Sequence, residues 1–538
     1  MLLVSFTEGI RWQGCAVMAY WAKPMFDRTQ VVIALDESID ASHPVRLLDE
    51  ILRGMDWSAW EQEYNGEQGQ PPIRPLVVAG VILYGLMRRI RSSRQLEYAC
   101  GHNFDFIWLA EGRVIDHSTI CNFRTKFKQP LKQLFKQINR VAITMGLIKL
   151  VEVAFDGTRV KANASRLHTW TAQRVEEVLQ ELEAEIERLL NEANAADRAE
   201  AAVWGAGKSW ELPPELADKR RREEKLRETL DKLHQLDEAR RKDGIDPKKN
   251  PAQLPKADAD SKVMPNKEGG YAPNYTPLAT PDGTQGFIVD CDVIGGPNEQ
   301  NELLASMDRI REDYGKYPDK PSADKAFGTG PNLEGMESRG IDFHTPVESS
   351  VPQEGNPAKR EDPRQAVPES EWSKLPLNDK KKLAKSCFVY DETADVYFCP
   401  MGHELSYREK KKYDGKEVRV FACKKCEGCP LATRCLDPKA KRGRTVSRDD
   451  YEPARERMHA KMETEKARVT YNRRMHIGET PFAIIKGILE VRRFLLRGLE
   501  KVRTEWRWVC TAYNLKKLIA AVGALRAEGG KLATNLGK

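Results

Sequence analysis

The sequence predicts a mixed α/β protein that is preceded by an all-helical region and interrupted by inserted segments. Three observations predict this fold class. Helical periodicity fills the chain up to residue 148, β-type alternation begins near residue 149 and returns near residue 271, and a long charged stretch separates the two β regions. At 538 residues, the chain has room for about two to four domains.

Residues 25–148 predict a compact helical domain. One helix is expected over residues 42–60, because Ser42 can cap it and Pro44 suits its first turn. Another is expected to start at Asp116, and the helices have basic ends. These features are compatible with a helix-turn-helix DNA-binding domain, although a plain helical docking domain would show the same pattern.

The first candidate site residue ends an apolar strand within residues 149–163. The residues alternate with the period of a strand up to Asp156, and Gly157 then allows a turn or a close approach of another group. Arg159 and Lys161 follow at once. An acid in this position is poorly suited to a core and well suited to holding a divalent metal beside a phosphate.

A helical hairpin is expected to interrupt the α/β region between residues 168 and 256. Its apolar residues follow coiled-coil spacing: Val175, Leu179, Leu182, Ile186, Leu189 and Ala193, then Leu226, Leu230 and Leu233. The elements predicted after it are strands Tyr271–Thr280 and Gly286–Val293 around a turn, helix Asn301–Tyr314, a short strand ending near Asp324, helix Asn332–Arg339 and strand Ile341–Pro346.

Two long helices are predicted at the C-terminal end, over residues 451–475 and 480–526. Glu479 and Lys486 are seven residues apart and are expected to share one helical face, which Arg493 would extend. This grouping suits a helix that holds a metal and contacts phosphates. Residues 355–385, polar and rich in proline, are expected to be a linker.

Asp156, Asp324 and Glu479 together could bind two magnesium ions, which prefer carboxylate oxygens and can catalyse phosphodiester chemistry. Each acid alone is a weak signal, because exposed acids in ion pairs are far commoner than metal ligands. Four other acids compete for these roles: Asp290, Asp292, Asp319 and Glu490.

Eleven cysteines are present, and six of them lie between Cys387 and Cys435, which indicates a metal site in a reducing compartment. The preferred hypothesis is a zinc ribbon within residues 387–445. Its ligands would be Cys399, Cys426, Cys429 and Cys435, with Cys423 and His403 as spare candidates. An iron–sulfur site and unliganded, reduced cysteines remain alternatives.

The basic charge is concentrated near the C-terminus, where residues 481–520 contain nine Lys/Arg and three Glu. This excess favours a nucleic acid partner, and a solvated basic face is the alternative. No apolar run reaches the roughly 20 residues of a membrane span, and residues 1–24 do not resemble a signal peptide. We expect a cytoplasmic protein whose residues 1–24 are a loose arm or an over-extended start and whose residues 527–538 are a tail.

Three motifs, in this order and spacing, resemble bacterial insertion-sequence transposases of the DDE class: Asp156-Gly-Thr-Arg-Val-Lys-Ala-Asn163, Ala323-Asp-Lys-Ala-Phe327 with Asn332-Leu333, and Tyr471-x-x-Arg474 ahead of Glu479-x6-Lys486. Residues 492–502 are also similar to that family. So are three strings that start at Asp27, Arg89 and Asp116, which resemble its N-terminal DNA-binding domain. The resemblance runs from about residue 25 to residue 525.

The resemblance implies an RNase H-like core made of residues 149–350 and 446–526, with the hairpin and the Cys-rich module inserted. It implies that Asp156, Asp324 and Glu479 bind Mg²⁺ or Mn²⁺. It also implies that Tyr471, Arg474 and Lys486 contact DNA, and we expect the same of three basic neighbours, Arg159, Lys161 and Arg493. Three residues depart from the family pattern: Lys325, Gly478 and Ala483.

The resulting hypothesis is a nucleoid-associated transposase. It would bind the terminal inverted repeats of its own element and target DNA, acting as a homodimer or a larger synaptic complex. It would cut the element ends and join them to the target. The alternatives are an inactive DNA-binding regulator or decayed copy, and a metal-dependent nuclease that does not join strands.

Overall fold

A computed structural model describes residues 35–64, 72–204, 214–242, 244–266, 269–348, 350–413, 416–437 and 443–527. Several predictions lie outside these residues: the arm over residues 1–24, the string at Asp27, most of the basic run after Lys439, and the tail from residue 528.

Within the described residues before the sheets there are seven helices: α1 (Pro44–Arg53), α2 (Ser58–Glu61), α3 (Pro75–Met87), α4 (Ser93–His102), α5 (Phe104–Leu109), α6 (His117–Lys126) and α7 (Lys128–Thr144). The single helix expected over residues 42–60 is wrong, because Gly54 ends α1 and Asp56 accepts the Ser58 N–H that begins α2. His43, not Ser42, caps α1. The start predicted at Asp116 is confirmed, since its carboxylate accepts the Ser118 N–H.

The next elements form the α/β region with its inserted hairpin. They are β1 (Glu152–Ala154), β2 (Asp156–Gly157), β3 (Val160–Lys161), β4 (Thr169–Trp170), α8 (Ala172–Trp204), α9 (Pro214–Lys242), β5 (Leu254–Pro255), β6 (Lys262–Pro265), β7 (Tyr271–Pro281), β8 (Ile288–Ile294), α10 (Leu303–Tyr314), β9 (Lys320–Ser322) and α11 (Gly330–Ser338). The strand–turn–strand predicted around residues 281–284 is confirmed by the antiparallel pairing of β7 with β8.

The long strand β7 lies at the centre of the sheet, where it pairs antiparallel with β8, β2, β3 and β6. Strand β1, which directly precedes β2 in the chain, pairs in parallel with β9. An isolated bridge joins Val153 to Asp282, and a parallel bridge joins Ser322 to His344. The order across the sheet is therefore β8, β7, the β1–β2 segment, β9 and residue 344. The strand predicted over residues 341–346 is wrong, because the chain there has a bridge at His344 and no continuous ladder.

The inserted hairpin has a hydrophobic core of its own, formed where α8 packs on α9. The predicted seam residues contribute to it, including Val175, Leu182 and Leu233. Strands β4 and β5 pair antiparallel at its base, so the chain enters and leaves the hairpin at one place.

The Cys-rich module contains β10 (Val389–Asp391), β11 (Val396–Phe398), β12 (Glu404–Tyr413), β13 (Lys416–Cys423), α12 (Ala432–Cys435) and β14 (Thr445–Asp449). Its five strands form one antiparallel sheet in chain order. The linker expected over residues 355–385 is wrong, because Ala358, Leu375 and Leu383 are buried in the core of this module.

Three helices end the described chain: α13 (Glu452–Glu463), α14 (Glu465–Gly487) and α15 (Leu499–Ala527). The two long helices predicted here are therefore wrong in number, since residues 488–498 are irregular and Glu490 has φ +58°. Arg493 lies in this irregular segment and does not extend the face that carries Glu479. The apolar side of α15 packs on α3, α7 and β8, so the N-terminal helices and the sheet share one core.

No helix in the described part of the chain is long and apolar enough to cross a membrane.

Glu505 of α15 links three parts of this shared core. Its carboxylate accepts the backbone N–H groups of Leu495 and Leu496 at 2.9–3.0 Å, which fixes the irregular segment before α15. It also pairs with Arg91 at 2.8 Å, and the two side chains are 11% and 14% exposed. Glu505 and Arg91 line a small cavity together with Arg124 of α6. A single buried carboxylate therefore joins the N-terminal helices, the loop and α15.

We expect Glu505→Ala to lower the free energy of unfolding by about 3–5 kcal/mol, because it leaves Arg91 and two backbone donors buried without their acceptor. Urea unfolding followed by tryptophan fluorescence measures this. Glu500→Ala is the matched control, since Glu500 lies on the same helix, is 64% exposed and pairs with Arg503 at 3.0 Å. It should change stability by less than about 1 kcal/mol. Equal effects of the two substitutions would contradict the role assigned to Glu505.

Candidate functional site

Asp156 lies where the chain passes from β1 into β2. Its neighbour Phe155 donates its N–H to Ser322 of β9 at 2.9 Å, and Asp156 itself is paired with Ala279 of β7. One carboxylate oxygen accepts the N–H of Gly157 at 2.8 Å, and the residue is half-buried. The carboxylate is therefore held in place while it remains accessible from the sheet edge.

Asp324 occupies the equivalent position after the neighbouring strand. In the parallel register Ala154 is opposite Ser322, so Asp156 and Asp324 each lie two residues beyond the last matched pair. Adjacent strands are separated by about 4.8 Å, so the two acids leave the same edge of the sheet side by side. The Asp324 carboxylate accepts the N–H of Ala326 at 2.8 Å and caps a single turn of 3₁₀ helix.

Helix α14 brings Glu479 to this edge. Its Gly478 packs so closely on the sheet that a Cβ added there would lie 3.4 Å from the Cβ of Asp156 and 3.5 Å from that of Ala154. Glu479 is the next residue and is exposed. The two distances at Gly478 are ordinary van der Waals distances, so an alanine would also fit at 478, and this departure from the family pattern lies at the contact without being required by it.

Lys486 fastens the same helix to the chain that follows Asp156. Its ammonium group donates to the Thr158 hydroxyl at 2.6 Å and to the Arg159 carbonyl at 2.8 Å. Two helical turns separate it from Glu479. The contact fixes how α14 lies against the acids, which is a positioning role that the sequence did not predict.

Of the other predicted DNA-contacting residues, Tyr471 and Arg474 lie on α14 itself, and the rest lie in the chain after Asp156 or in the irregular segment after α14. The Arg474 guanidinium lies over the Tyr471 ring at 5.6 Å from its centroid. Arg159 donates to the Thr276 hydroxyl, and Lys161 donates its backbone N–H to the Arg492 carbonyl at 3.2 Å. The Arg493 carbonyl accepts from Arg91 at 2.6 Å.

Two further acids lie against the elements that carry the triad: Glu299 next to Asp156, and Glu152 at the opposite end of β1. The Glu299 carboxylate covers Gly157, where a Cβ would clash with it at 1.8 Å. Glu152 pairs with Arg473 of α14 at 3.2 Å. Neither stands in a motif, and the alternation around Glu152 was the single available signal. A side chain at position 157 would therefore displace the end of the Glu299 side chain.

The four competing acids occupy other surroundings. Asp290 pairs with Arg309 at 2.7 Å, and Asp292 pairs with Arg503 at 3.0 Å. Asp319 lies at the opposite end of β9 from Asp324, and Glu490 forms an exposed pair with Arg89 at 3.1 Å. The sheet edge therefore favours Asp156 and Asp324 over all four.

Among the residues that the structure describes, one group of three has all its potential ligand atoms within 4.8 Å: Glu97, Asp116 and His117. Nδ1 of His117 lies 2.9 Å from the Glu97 carboxylate and 3.3 Å from that of Asp116. This group could hold a cation, although capping of α6 by Asp116 already accounts for part of its geometry. Asp156, Asp324 and Glu479 do not form so tight a group.

The cysteines of the module gather around one small cavity. Its lining includes Cys399, Cys423, Cys426, Cys429 and Cys435, together with His403. The Cys399 and Cys423 thiols interact, and this contact lowers the pKa of Cys399 and raises that of Cys423. All ten described cysteines are reduced.

Two family models match the chain. The Transposase DDE domain matches residues 398–519, which include Glu479 and Lys486. The Transposase domain (DUF772) matches residues 33–126, which form most of the N-terminal helices. No curated protein gives a significant match. Both ranges leave out Asp156 and Asp324, whose candidacy therefore rests on their position in the sheet.

Both matches are to transposase domains, one of them a DDE domain. The two matches support an insertion-sequence transposase of the DDE class, which confirms the resemblance found in the sequence.

Replacing Lys486 with Met should remove two hydrogen bonds while keeping most of the side chain's bulk. We expect the free energy of unfolding to fall by about 1–3 kcal/mol, because the half-buried Arg159 carbonyl loses a charged donor. Chemical denaturation measures the change. Lys466→Met, at an exposed position of the same helix, should alter stability by less than about 0.5 kcal/mol. If both variants are as stable as wild type, Lys486 does not anchor α14.

Proposed function

We propose that the chain is an active DDE transposase that cuts DNA at the ends of its own insertion sequence and joins them to a target. The observation that carries this proposal is the common sheet edge where Asp156 and Asp324 end neighbouring parallel strands and the helix of Glu479 packs on Asp156. Three carboxylates on rigid elements suit metal-dependent phosphodiester chemistry.

The sheet order supports an RNase H-like core as part of this proposal. Across the sheet, the antiparallel strands β8 and β7 lie on one side of the strand that ends at Asp156. Its parallel neighbours, β9 and the bridge at residue 344, lie on the other side. The hairpin over 168–256 and the module over 387–445 would be insertions into a core of residues 149–350 and 446–526.

A two-ion site does not require the three acids to form the tight group that a single ion would need. Ions about 4 Å apart, each about 2 Å from its ligands, accept carboxylates separated by up to about 8 Å. When bound, Mg²⁺ or Mn²⁺ would activate the attacking oxygen and stabilise the leaving oxygen. The chain's own residues would hold the acids in register, chiefly through the contact of Lys486 with Thr158 and Arg159.

Two phosphodiester reactions follow from this assignment. Water attacks a phosphodiester at the element end, and the bond to the 3′ oxygen breaks to leave a free 3′-hydroxyl. That hydroxyl then attacks a phosphodiester of the target, forming a new bond as the target strand breaks. No covalent protein–DNA intermediate is required.

The N-terminal helices, over residues 25–148, are proposed to bind the terminal inverted repeats through a helix-turn-helix arrangement. Tyr471, Arg474, Lys486 and Arg493, with Arg159 and Lys161, are proposed to contact DNA near the acids. Two ends must meet, so a homodimer or larger synaptic complex in the cytoplasm, associated with the nucleoid, completes this proposal. The proposal also includes a structural Zn²⁺ in the Cys-rich module.

Asp156→Asn, Asp324→Asn and Glu479→Gln should each abolish cleavage while leaving binding of the element ends largely intact, because each removes one anionic ligand without changing shape. The assay is Mg²⁺-dependent cleavage of a plasmid that carries the gene's own flanks, beside a gel-shift assay of the same ends. Asp319→Asn, at the opposite end of β9, is the control and should cut normally. Any of the three variants that still cuts is removed from the triad.

The joining of element ends to target DNA distinguishes a transposase from a nuclease. Pre-cleaved end DNA with a free 3′-hydroxyl, incubated with a supercoiled target, should yield joined products in wild type and none in Asp156→Asn. Cleavage without joining would favour the nuclease alternative. Tight end binding without cleavage would favour a regulator or decayed copy.

A further inference from the structure

The cavity of the Cys-rich module collects thiols from four separate pieces of chain. Cys399 follows β11, Cys423 ends β13, Cys426 and Cys429 lie in the loop after it, and Cys435 ends α12. Cys399, Cys423 and Cys435 are nine-tenths or more buried. Five thiols line this cavity without disulfides, and no three of their sulfurs all lie within 4.8 Å of one another, so a bound metal would draw them closer. Thiols grouped in this way are an unusual way to fill a core and a usual ligand set for a soft divalent metal.

Backbone N–H groups point at three of these sulfurs. Met401 and His403 donate to Cys399, and Lys425 donates to Cys423. The Arg444 N–H donates to the Cys426 sulfur at 3.3 Å. N–H groups that donate to sulfur are typical of cysteine ligands, so three of the five cysteines have a donor that a metal-bound sulfur would use.

Two glycines near these cysteines also favour a metal site. After Cys399 the chain reverses through Gly402, whose N–H donates to the Cys399 carbonyl at 2.8 Å. A Cβ on Gly443 would lie 3.1 Å from the Cys426 sulfur and collide with the Cys423 carbonyl, so glycine lets this strand close over the thiols.

The fourth ligand must come from Cys429 or Cys435. Cys435 is 8% exposed and lies at the end of α12 among Cys423, Cys426 and Cys429, whereas Cys429 is only partly buried. Cys426 is partly buried too, and the Arg444 N–H that donates to its sulfur distinguishes it. A buried thiol is the better ligand, because a metal there is shielded from water and competing chelators.

We propose that Cys399, Cys423, Cys426 and Cys435 bind one structural zinc ion tetrahedrally and that Cys429 is the peripheral fifth thiol. This inference rests on the zinc included in the proposed function and changes its ligand set, with Cys423 replacing Cys429. It does not depend on DNA cleavage.

The test measures the zinc content of the purified full-length chain by inductively coupled plasma mass spectrometry. Wild type should carry about one zinc per chain, and Cys423→Ala should lose most of it, since three ligands bind zinc far more weakly than four. Cys429→Ala should keep its zinc. Cys387→Ala is the matched control: Cys387 is buried in the same module, donates to the Pro376 carbonyl at 3.3 Å and does not line the cavity.

A second measurement needs no variant and so survives misfolding of Cys423→Ala. Native wild type is alkylated with and without a chelator, and the modified cysteines are mapped by mass spectrometry. The four proposed ligands should be protected until zinc is removed, and Cys429 should react in both samples. Wild type without zinc would overturn the metal itself. Zinc retained by Cys423→Ala, or lost from Cys429→Ala, would overturn the ligand set and leave the zinc proposal standing.

Discussion

The parallel pairing of β1 with β9 is the constraint on which the candidate site depends. Each strand has three residues, and the segment between them contains the whole inserted hairpin and most of the sheet. Closing so long a loop is entropically costly, so the pairing requires support from the surrounding core. That support comes from Asp282, whose carboxylate accepts the Leu150 N–H at 2.8 Å while its backbone bridges to Val153. The acids are adjacent because this short ladder holds.

Local signals in the sequence were sufficient for several elements. The alternation before Asp156 predicted a strand, the Pro281–Thr284 turn predicted a hairpin, and Asp116 predicted a helix start. Each prediction depends on a short-range interaction, such as a side chain capping its own helix or a turn that favours particular residues. The structure shows all three where they were expected.

The break before α15 could not be predicted in the same way, because residues 488–498 are as apolar and helix-compatible as their neighbours. Distant partners fix this segment. Phe494 donates its N–H to the Lys161 carbonyl at 2.8 Å, and Glu505 accepts from Leu495 and Leu496. Similarly, the approach of Glu299 to Gly157 and the anchoring role of Lys486 depend on contacts that no local pattern records. Tertiary contacts override local propensity here.

Ion pairs join the Cys-rich module to the helix that follows it. Lys385 pairs with the buried Glu452 at 2.8 Å, and Arg448 of β14 pairs with Glu456 of α13 at 2.6 Å. Because α13 leads directly into α14, the packing of the module is coupled to the helix that carries Glu479. A structural metal in the module would therefore stiffen more than its own loops.

The paired stem of β4 and β5 gives the inserted hairpin a thermodynamic independence. Its core is separate from the one that contains the sheet, and the stem brings its two ends together. Below the stem, Asp260 links Lys232 of α9 at 2.6 Å to the Leu499 N–H at 2.9 Å. The hairpin can therefore open as its own cooperative unit, with amide hydrogens that exchange at a lower free energy than those of the sheet. Changes in its length would lengthen or shorten an arm without moving the strands that carry the acids.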